Sequence, residues 1–127
     1  MSRKRFPPTL ELTIEAIDAE GVGMAQWGEK SVRVKGALPG EALVARTVGR
    51  RKGAALAVAQ TVSANASPIR QSAPCAFFPR CGGCALQHMD YAAQLDLKQQ
   101  GLLDELERAG VSYAKLRAPV GSPQFGY

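Results

Sequence analysis

The sequence predicts a small antiparallel β barrel followed by a cysteine-rich loop and one α-helix, so that the whole is a mixed β and α chain. Three observations support this prediction. Short segments with alternating apolar residues are separated by glycine-rich turns, three cysteines fall within one short segment, and a long segment with helical periodicity follows them. Of the 127 residues, 46 % are apolar and 21 % are charged, which is a globular composition.

The barrel is predicted from the alternation of apolar and polar residues in five short segments. In "TLELTIEAI" (9–17), every second residue from Leu10 to Ala16 is apolar, which is typical of a strand with one buried face. The same alternation points Val32 and Val34 inward. Short strands at regular spacing with glycine-rich turns indicate a small antiparallel barrel. The strands are predicted at 9–17, twice within 24–36, at 42–48 and at 55–62, with a basic turn at 49–54.

The chain is predicted to have four consecutive parts. A basic tail covers residues 1–7, the barrel covers 8–64, and a polar, proline-bearing linker covers 65–74. The last part, 75–127, contains the cysteine loop, the helix and the start of a further domain, because "SPQFGY" at the end completes no element.

The helix is predicted between Asp90 and Gly110. Asp90 is a suitable N-cap, and Gly110 stands where a glycine commonly follows a helix. Gly101 inside the helix lowers its propensity by about 1 kcal/mol, so we expect a kink or close packing at that point. Apolar residues fall close to one helix face at Tyr91, Leu95, Leu102 and Leu106.

The positive charge is concentrated in the first part of the chain. Residues 1–72 hold eleven Lys or Arg against six Asp or Glu, whereas residues 73–127 hold five of each. A one-sided basic surface suits binding to a phosphate backbone, although a merely soluble basic surface has the same composition. No apolar run approaches the ~20 residues that a membrane helix needs. No apolar stretch typical of a signal peptide follows the basic start, and we therefore expect a cytoplasmic protein that does not contact membranes.

Three cysteines are the candidate metal ligands, and they are spaced as Cys75-x5-Cys81-Gly-Gly-Cys84. A C-x-x-C pair can place two sulfurs on one metal, and both iron and zinc favour thiolates. Spacing alone leaves three interpretations open. The cysteines could hold a 4Fe–4S cluster whose fourth ligand comes from elsewhere, they could form a Cys3His zinc site with His88, or they could be unligated thiols.

Two further residues each have a functional and an ordinary interpretation. His88 lies just before the helix, where a histidine is more often a surface or capping residue than a metal ligand. Trp27 is the best candidate for stacking on a nucleic-acid base, but a single tryptophan in a small barrel is part of the core at least as often.

Two stretches of the sequence resemble a known family. The segment at 20–68, which begins "EGVGMAQWGEKSVRVKG", resembles a TRAM domain, a small OB-like RNA-binding barrel. The pattern C-x5-C-G-G-C-A-L-Q-H-x-x-Y-x-x-Q-L resembles the iron–sulfur segment of the RlmD/RumA-type 23S rRNA uracil-5-methyltransferases. The final "SPQFGY" resembles the point at which that family enters its central domain.

The resemblance implies the N-terminal part of an enzyme that transfers a methyl group from S-adenosyl-L-methionine (SAM) to carbon 5 of a uridine. It implies that Cys75, Cys81 and Cys84 are three ligands of a 4Fe–4S cluster whose fourth ligand lies downstream. This sequence has no glycine-rich strand–loop–helix for SAM and no cysteine outside the triad. We therefore expect it to contain no catalytic residue and to be inactive alone. The resemblance also implies that the partner is 23S rRNA, and we expect the chain to be a monomer.

Outward-facing cations of the barrel are the predicted RNA contacts, since barrels of this kind bind single strands by charge and stacking. They are Arg33, Lys35, Arg46, Arg50, Arg51 and Lys52. A rival interpretation is a stand-alone RNA-binding adaptor with a Cys3His zinc site and no attached enzyme. Another RNA-modifying enzyme, such as a methylthiotransferase, agrees less well with the cysteine spacing and with a barrel at the start of the chain.

Overall fold

A computed structural model describes residues 5–123, so the first part of the predicted basic tail and the end of "SPQFGY" lie outside the described residues. The described chain contains six β-strands and one α-helix. The strands are β1 (Thr9–Thr13), β2 (Ala16–Ile17), β3 (Gly23–Trp27), β4 (Lys30–Lys35), β5 (Ala42–Arg51) and β6 (Ala54–Ala64), and the helix is α1 (Tyr91–Arg108).

The strands form one mixed sheet in the order β1-β5-β6-β4-β3-β2. The predicted strand segments are in place, but the predicted closed antiparallel barrel is wrong for the described residues. β1 and β2 are the two edges of an open sheet, and β4 pairs with β6 in parallel. The parallel pair follows from the path of the chain, because the antiparallel β5–β6 hairpin inserts between β1 and β4.

The predicted first strand is divided at Ile14. The Ile14 backbone N–H donates to the Glu41 carbonyl at 2.9 Å, whereas the Glu15 N–H donates to the Met24 carbonyl at 2.8 Å. Before this bend, β1 pairs with β5, and after it β2 pairs with β3. The two parts of the predicted strand therefore lie at opposite edges of the sheet. The alternation does not continue through this bend, so Ala16 is exposed although the sequence pattern predicted it to face inward.

The hydrophobic core lies on one face of the sheet, as the alternation predicted. Val32 and Val34 are buried, and Arg33 and Lys35 point to the other face. Alanines in β5 and β6 let the strands pack closely against the larger side chains of β1 and β4. The core residues are Leu10, Leu12, Ile14, Ala25, Val32, Val34, Ala37, Leu43, Ala45, Ala55 and Ala57.

The basic segment predicted as a turn at 49–54 is mostly strand. β5 continues to Arg51 and β6 begins at Ala54, so that Lys52 and Gly53 alone form the turn. The pairing of β5 with β6 shifts between Thr47 and Gly49, where β5 has one extra residue. This extension matters for function because consecutive residues in a strand point to opposite faces.

The helix α1 begins and ends where the sequence predicted. The Asp90 side chain accepts a hydrogen bond from the Ala93 N–H at 2.8 Å, and the Gly110 N–H donates to the Glu107 carbonyl at 3.0 Å. A Cβ at Gly101 would lie 3.4 Å from the Ala19 Cβ, so the predicted close packing occurs at this point. No residue of α1 is fully buried. Within residues 5–123, no helix has the length and apolar character that crossing a bilayer requires.

Candidate nucleic-acid groove and cysteine loop

The outer face of the sheet carries cations on both sides of an apolar strand. Lys35 in β4 is directly opposite Val58 in β6, and Val58 is opposite Arg46 in β5. Arg33 is opposite Leu56 in the neighbouring row. Because residues opposite each other in a sheet project to the same face, this surface has an apolar centre and basic margins.

A groove of about 1000 Å³ runs along this face, and we call it the basic groove. Its lining includes seven cationic side chains and the carboxylates of Asp18 and Glu20. Five of the six predicted RNA contacts line it together: Arg33, Lys35, Arg46, Arg51 and Lys52. The other two cations, Arg80 and Arg108, were not predicted, because they come from distant segments and no local pattern connects them to the sheet.

The cations of the basic groove differ in how strongly they are tied to carboxylates. Arg33 donates to Asp18 at 2.6 Å and lies 3.8 Å from Glu20, and Arg108 pairs with Glu105 at 2.8 Å on an exposed surface. The exposed Arg108–Glu105 pair contributes little to stability, whereas the Arg33–Asp18 pair is partly buried. Within residues 5–123, the remaining cations have no ion-pair partner; they are Lys35, Arg46, Arg51, Lys52 and Arg80.

The sixth predicted contact, Arg50, lies apart from the basic groove. Its guanidinium carbon is 5.4 Å from the centre of the Phe6 ring, and the Lys30 Nζ is 5.0 Å from the same ring. Phe6 in turn packs against Trp27, with ring centres 5.5 Å apart. Trp27 is half-buried against the core. Arg50 and Arg51 therefore lie on different surfaces, since adjacent strand residues face opposite sides, and the RNA contact predicted for Arg50 stays a prediction.

The cysteine loop, residues 75–87, exposes all three thiols. Cys75, Cys81 and Cys84 are free and exposed, and the loop is built from turns, with the Cys81 N–H donating to the Phe77 carbonyl at 2.9 Å. No set of three or more Cys, His, Asp or Glu side chains among the described residues is arranged to hold a metal ion. Unpaired, exposed thiolate donors fit iron–sulfur or zinc chemistry, but their convergence on a metal remains a prediction.

Two glycines of the sheet domain contact the cysteine loop at two separate points. A Cβ at Gly36 would lie 2.9 Å from the Pro79 Cγ, and a Cβ at Gly21 would overlap the Leu86 Cδ2. Both glycines also have positive φ, which a side chain would strain. The loop is therefore seated on the sheet at Pro79 and again at Leu86.

His88 is buried, so the prediction of a surface or capping residue is wrong. Its Nε2 lies 3.2 Å from the Ala37 carbonyl, and its ring stacks on Phe78 with centres 5.2 Å apart. A carbonyl can only accept, so Nε2 carries the proton, and Nδ1 has no partner among the described residues. Burial lowers the pKa of His88, which favours this neutral form.

A buried ion pair that the sequence did not indicate joins the segment before the cysteines to the sheet. Arg70 donates to both carboxylate oxygens of Glu41 at 2.6 Å, and it also reaches the Gly36 carbonyl at 2.7 Å. Burial raises the pKa of Glu41, but the hydrogen bonds from Arg70 and from the Ser67 and Leu38 N–H groups outweigh burial and hold that pKa below its usual value. The predicted linker at 65–74 is therefore tied to the sheet through Arg70.

In class, the chain is thus a small β domain with a basic groove and an attached cysteine loop. No established protein-family profile matches it. It is similar to the 23S rRNA (uracil(1939)-C(5))-methyltransferase RlmD of Pseudomonas putida, with 42 % identity over 117 residues, which are 91 % of this chain and 26 % of the relative. The enzyme of the same name from Acidithiobacillus ferrooxidans is 42 % identical over 118 residues, covering 92 % of this chain and 27 % of the relative.

A protein of Halalkalibacterium halodurans named as an uncharacterized RNA methyltransferase is 39 % identical over 126 residues, covering 95 % of this chain and 27 % of the relative. The chain therefore spans about a quarter of the length of the curated relatives it matches. The resemblance that the cysteine and barrel motifs suggested is confirmed, since nearly the whole chain is homologous to RNA methyltransferases.

Proposed function

We propose that this chain is the N-terminal, RNA-binding and iron–sulfur part of a SAM-dependent methyltransferase that modifies carbon 5 of a uridine in 23S rRNA. One observation carries the proposal: identity of about 40 % along nearly the whole chain to relatives whose names state this activity. SAM binding and methyl transfer are assigned to the part of the protein that the longer relatives contain beyond this similarity. No residue of this chain is assigned a catalytic role.

The role proposed for the sheet domain is contact with the RNA backbone. Support comes from the basic groove, in which five predicted cations lie on one face beside the apolar residues Leu56 and Val58. The cations can pair with RNA phosphates, and the apolar strand between them can contact bases or riboses. Binding of this kind weakens steeply with salt, because each neutralised phosphate releases counterions.

The role proposed for the cysteine loop is to hold a 4Fe–4S cluster through Cys75, Cys81 and Cys84. Four irons each take one protein ligand, so the fourth ligand must come from outside this triad. Such a cluster would supply a structural crosslink between the loop and the next domain. His88 is not assigned as a ligand, because its buried ring is engaged with Ala37 and Phe78.

Methyl transfer tests the enzymatic part of this proposal. The protein encoded by the complete open reading frame should transfer labelled methyl groups from SAM to a 23S rRNA transcript, and mass spectrometry should find them on carbon 5 of a uridine. The 127-residue chain alone should transfer none. Methylation by the chain alone, or transfer by the full protein to a position other than uridine carbon 5, would contradict the proposal.

Metal analysis tests the cysteine loop separately. After anaerobic reconstitution, we expect the chain to contain iron and acid-labile sulfide, and Cys81→Ser to abolish this uptake because Cys81 belongs to both cysteine spacings. His88→Gln should retain the iron, and it serves as the matched control. One zinc without iron, lost in His88→Gln, would instead favour an RNA-binding adaptor with a Cys3His site.

A further inference from the structure

The basic groove is lined by three parts of the chain that are far apart in sequence. The sheet provides Lys35, Arg46 and Arg51, the cysteine loop provides Arg80, and the last turn of α1 provides Arg108. Arg80 and Arg108 have no counterpart among the contacts expected from the sequence. Their presence in the groove means that it is a property of the folded chain and not of the sheet alone.

The packing described above holds both additional arginines near the sheet. Pro79, directly before Arg80, fits against Gly36 at the end of β4. The helix that carries Arg108 approaches the β2–β3 turn at Ala19, which also lines the groove. Arg108 is paired with Glu105, but both side chains are largely exposed, so a phosphate can replace that carboxylate at little cost.

The distribution of these charges fits an extended polyanion better than a compact anion. The groove, at about 1000 Å³, is far larger than one phosphate, and its cations come from β4, β5, the cysteine loop and α1. The groove lining also includes the partly exposed Leu56 and the half-exposed Val48, which offer apolar surface to bases and riboses. Cationic margins around an apolar floor are the features by which proteins bind single-stranded nucleic acid without reading its sequence.

We propose that Arg80 and Arg108 complete one composite groove for single-stranded RNA, in which the cysteine loop and α1 bind the same strand as the sheet. This inference rests on the proposed RNA-binding function and adds to it that the cysteine loop itself contacts the RNA. Loss of either arginine removes phosphate contacts without touching the sheet.

Fluorescence anisotropy of a labelled oligouridine, measured with the 127-residue chain at several salt concentrations, tests this inference. For a single strand, the slope of log K against log salt is negative, and each lost phosphate contact makes it less steep by about 0.7. We therefore expect Arg80→Glu and Arg108→Glu each to reduce the magnitude of the slope by about 0.7, and the double variant by about 1.4. Arg117→Glu changes the same charge at an exposed position outside the groove, and it should leave the slope unchanged.

The outcomes separate this inference from the proposed function. If Arg46→Glu weakens binding but neither Arg80→Glu nor Arg108→Glu does, the composite groove is wrong and the sheet alone binds RNA. If the unaltered chain binds no oligouridine, the RNA-binding role fails as well. Equal binding of inorganic polyphosphate, or of the same sequence as a duplex, would overturn the assignment to single-stranded RNA. Arg108→Glu remains decisive if Arg80→Glu disturbs the cysteine loop, because Arg108 lies outside that loop.

Discussion

The sheet domain and the segment that carries the cysteines are held in different ways. Every buried apolar side chain before residue 64 belongs to the sheet domain or to the loops between its strands, whereas beyond that point Met89 is the one buried apolar side chain among the described residues. The helix α1 buries no residue fully. The sheet is therefore stabilised by a continuous core, and the cysteine segment by a few anchors: Arg70, Pro79, Leu86 and His88. Each anchor can be removed separately, and each removal tests this contrast.

The largest expected effect comes from the Glu41–Arg70 pair. Arg70→Ala leaves the buried carboxylate of Glu41 with only the Leu38 and Ser67 N–H donors. Loss of one member of a buried pair typically costs about 3–5 kcal/mol, and the lower end applies because Arg70 is partly exposed. We expect a decrease of that size in the free energy of unfolding measured with urea. Arg117→Ala, at an exposed site, should change it little. If the two variants are equally stable, Arg70 does not anchor the segment before the cysteines.

The next effect should come from Gly36, where the cysteine loop meets the sheet. Gly36→Ala adds a Cβ 2.9 Å from the Pro79 Cγ, whereas Gly40→Ala adds one with no neighbour within 4 Å at a similar φ. Both variants carry the strain of positive φ, so their difference isolates the contact with Pro79. Overpacking of this kind costs about 1–3 kcal/mol. We expect faster tryptic cleavage after Arg80 in Gly36→Ala than in Gly40→Ala, and equal rates would show that Pro79 is not an anchor.

We expect His88 to have a smaller effect on the free energy of unfolding, and this effect depends on pH. Burial lowers its pKa below the ordinary value of 6.5, so the unfolded chain binds a proton more readily than the folded one. The free energy of unfolding is therefore unaffected by this group above pH 6.5, and it decreases as the pH falls from 6.5 through the lowered pKa. His88→Gln should lack this decline, because a glutamine does not titrate.

A second decline should appear at lower pH in both proteins. The pKa of Glu41 lies below its ordinary value of 4.5, so its stabilising contribution is lost as the pH falls from 4.5 through that lowered pKa. Thermal melting between pH 2 and pH 8 would separate the two ranges. An identical profile for His88→Gln across the upper range would mean that the histidine titrates as an exposed one.

The smallest expected effect distinguishes the two faces of the sheet itself. Arg51→Glu should reduce the magnitude of the salt slope of oligouridine binding by about 0.7, since Arg51 lines the basic groove. Arg50→Glu makes the same change one residue earlier, beside Phe6, and should leave the slope as it is. Equal effects of the two variants would show that RNA contacts extend around the end of the sheet.

The features that the sequence could predict are those that depend on residues close to each other along the chain. The outward direction of Arg33 and Lys35 was predictable because they alternate with Val32 and Val34. Asp90 was predictable as an N-cap because a cap acts within a few residues of itself. These features depend on neighbours along the chain, and the structure agrees with them.

Features that join distant segments were not predictable. Glu41 follows a Pro-Gly turn and looks like a surface residue until Arg70, 29 residues later, reaches it. The path of the whole chain also determines that β4 pairs with β6 in parallel. It likewise brings Arg80 to the groove on the sheet. His88 lies between the cysteines and the helix, outside any segment with a regular alternation of apolar residues, so no periodicity indicated its burial.

The two contacts that hold the cysteine loop on the sheet, Gly36 with Pro79 and Gly21 with Leu86, also determine how this segment can vary in length. Pro79 and Leu86 are both fixed on the sheet domain, so residues between them form a closed loop and not a free tether. Lengthening a flexible closed loop is inexpensive, since each doubling adds only about 0.6 kcal/mol of closure entropy. The sheet should therefore tolerate insertions between Pro79 and Leu86. Insertions between Arg70 and Pro79 would instead separate the Glu41–Arg70 ion pair from the loop that it supports.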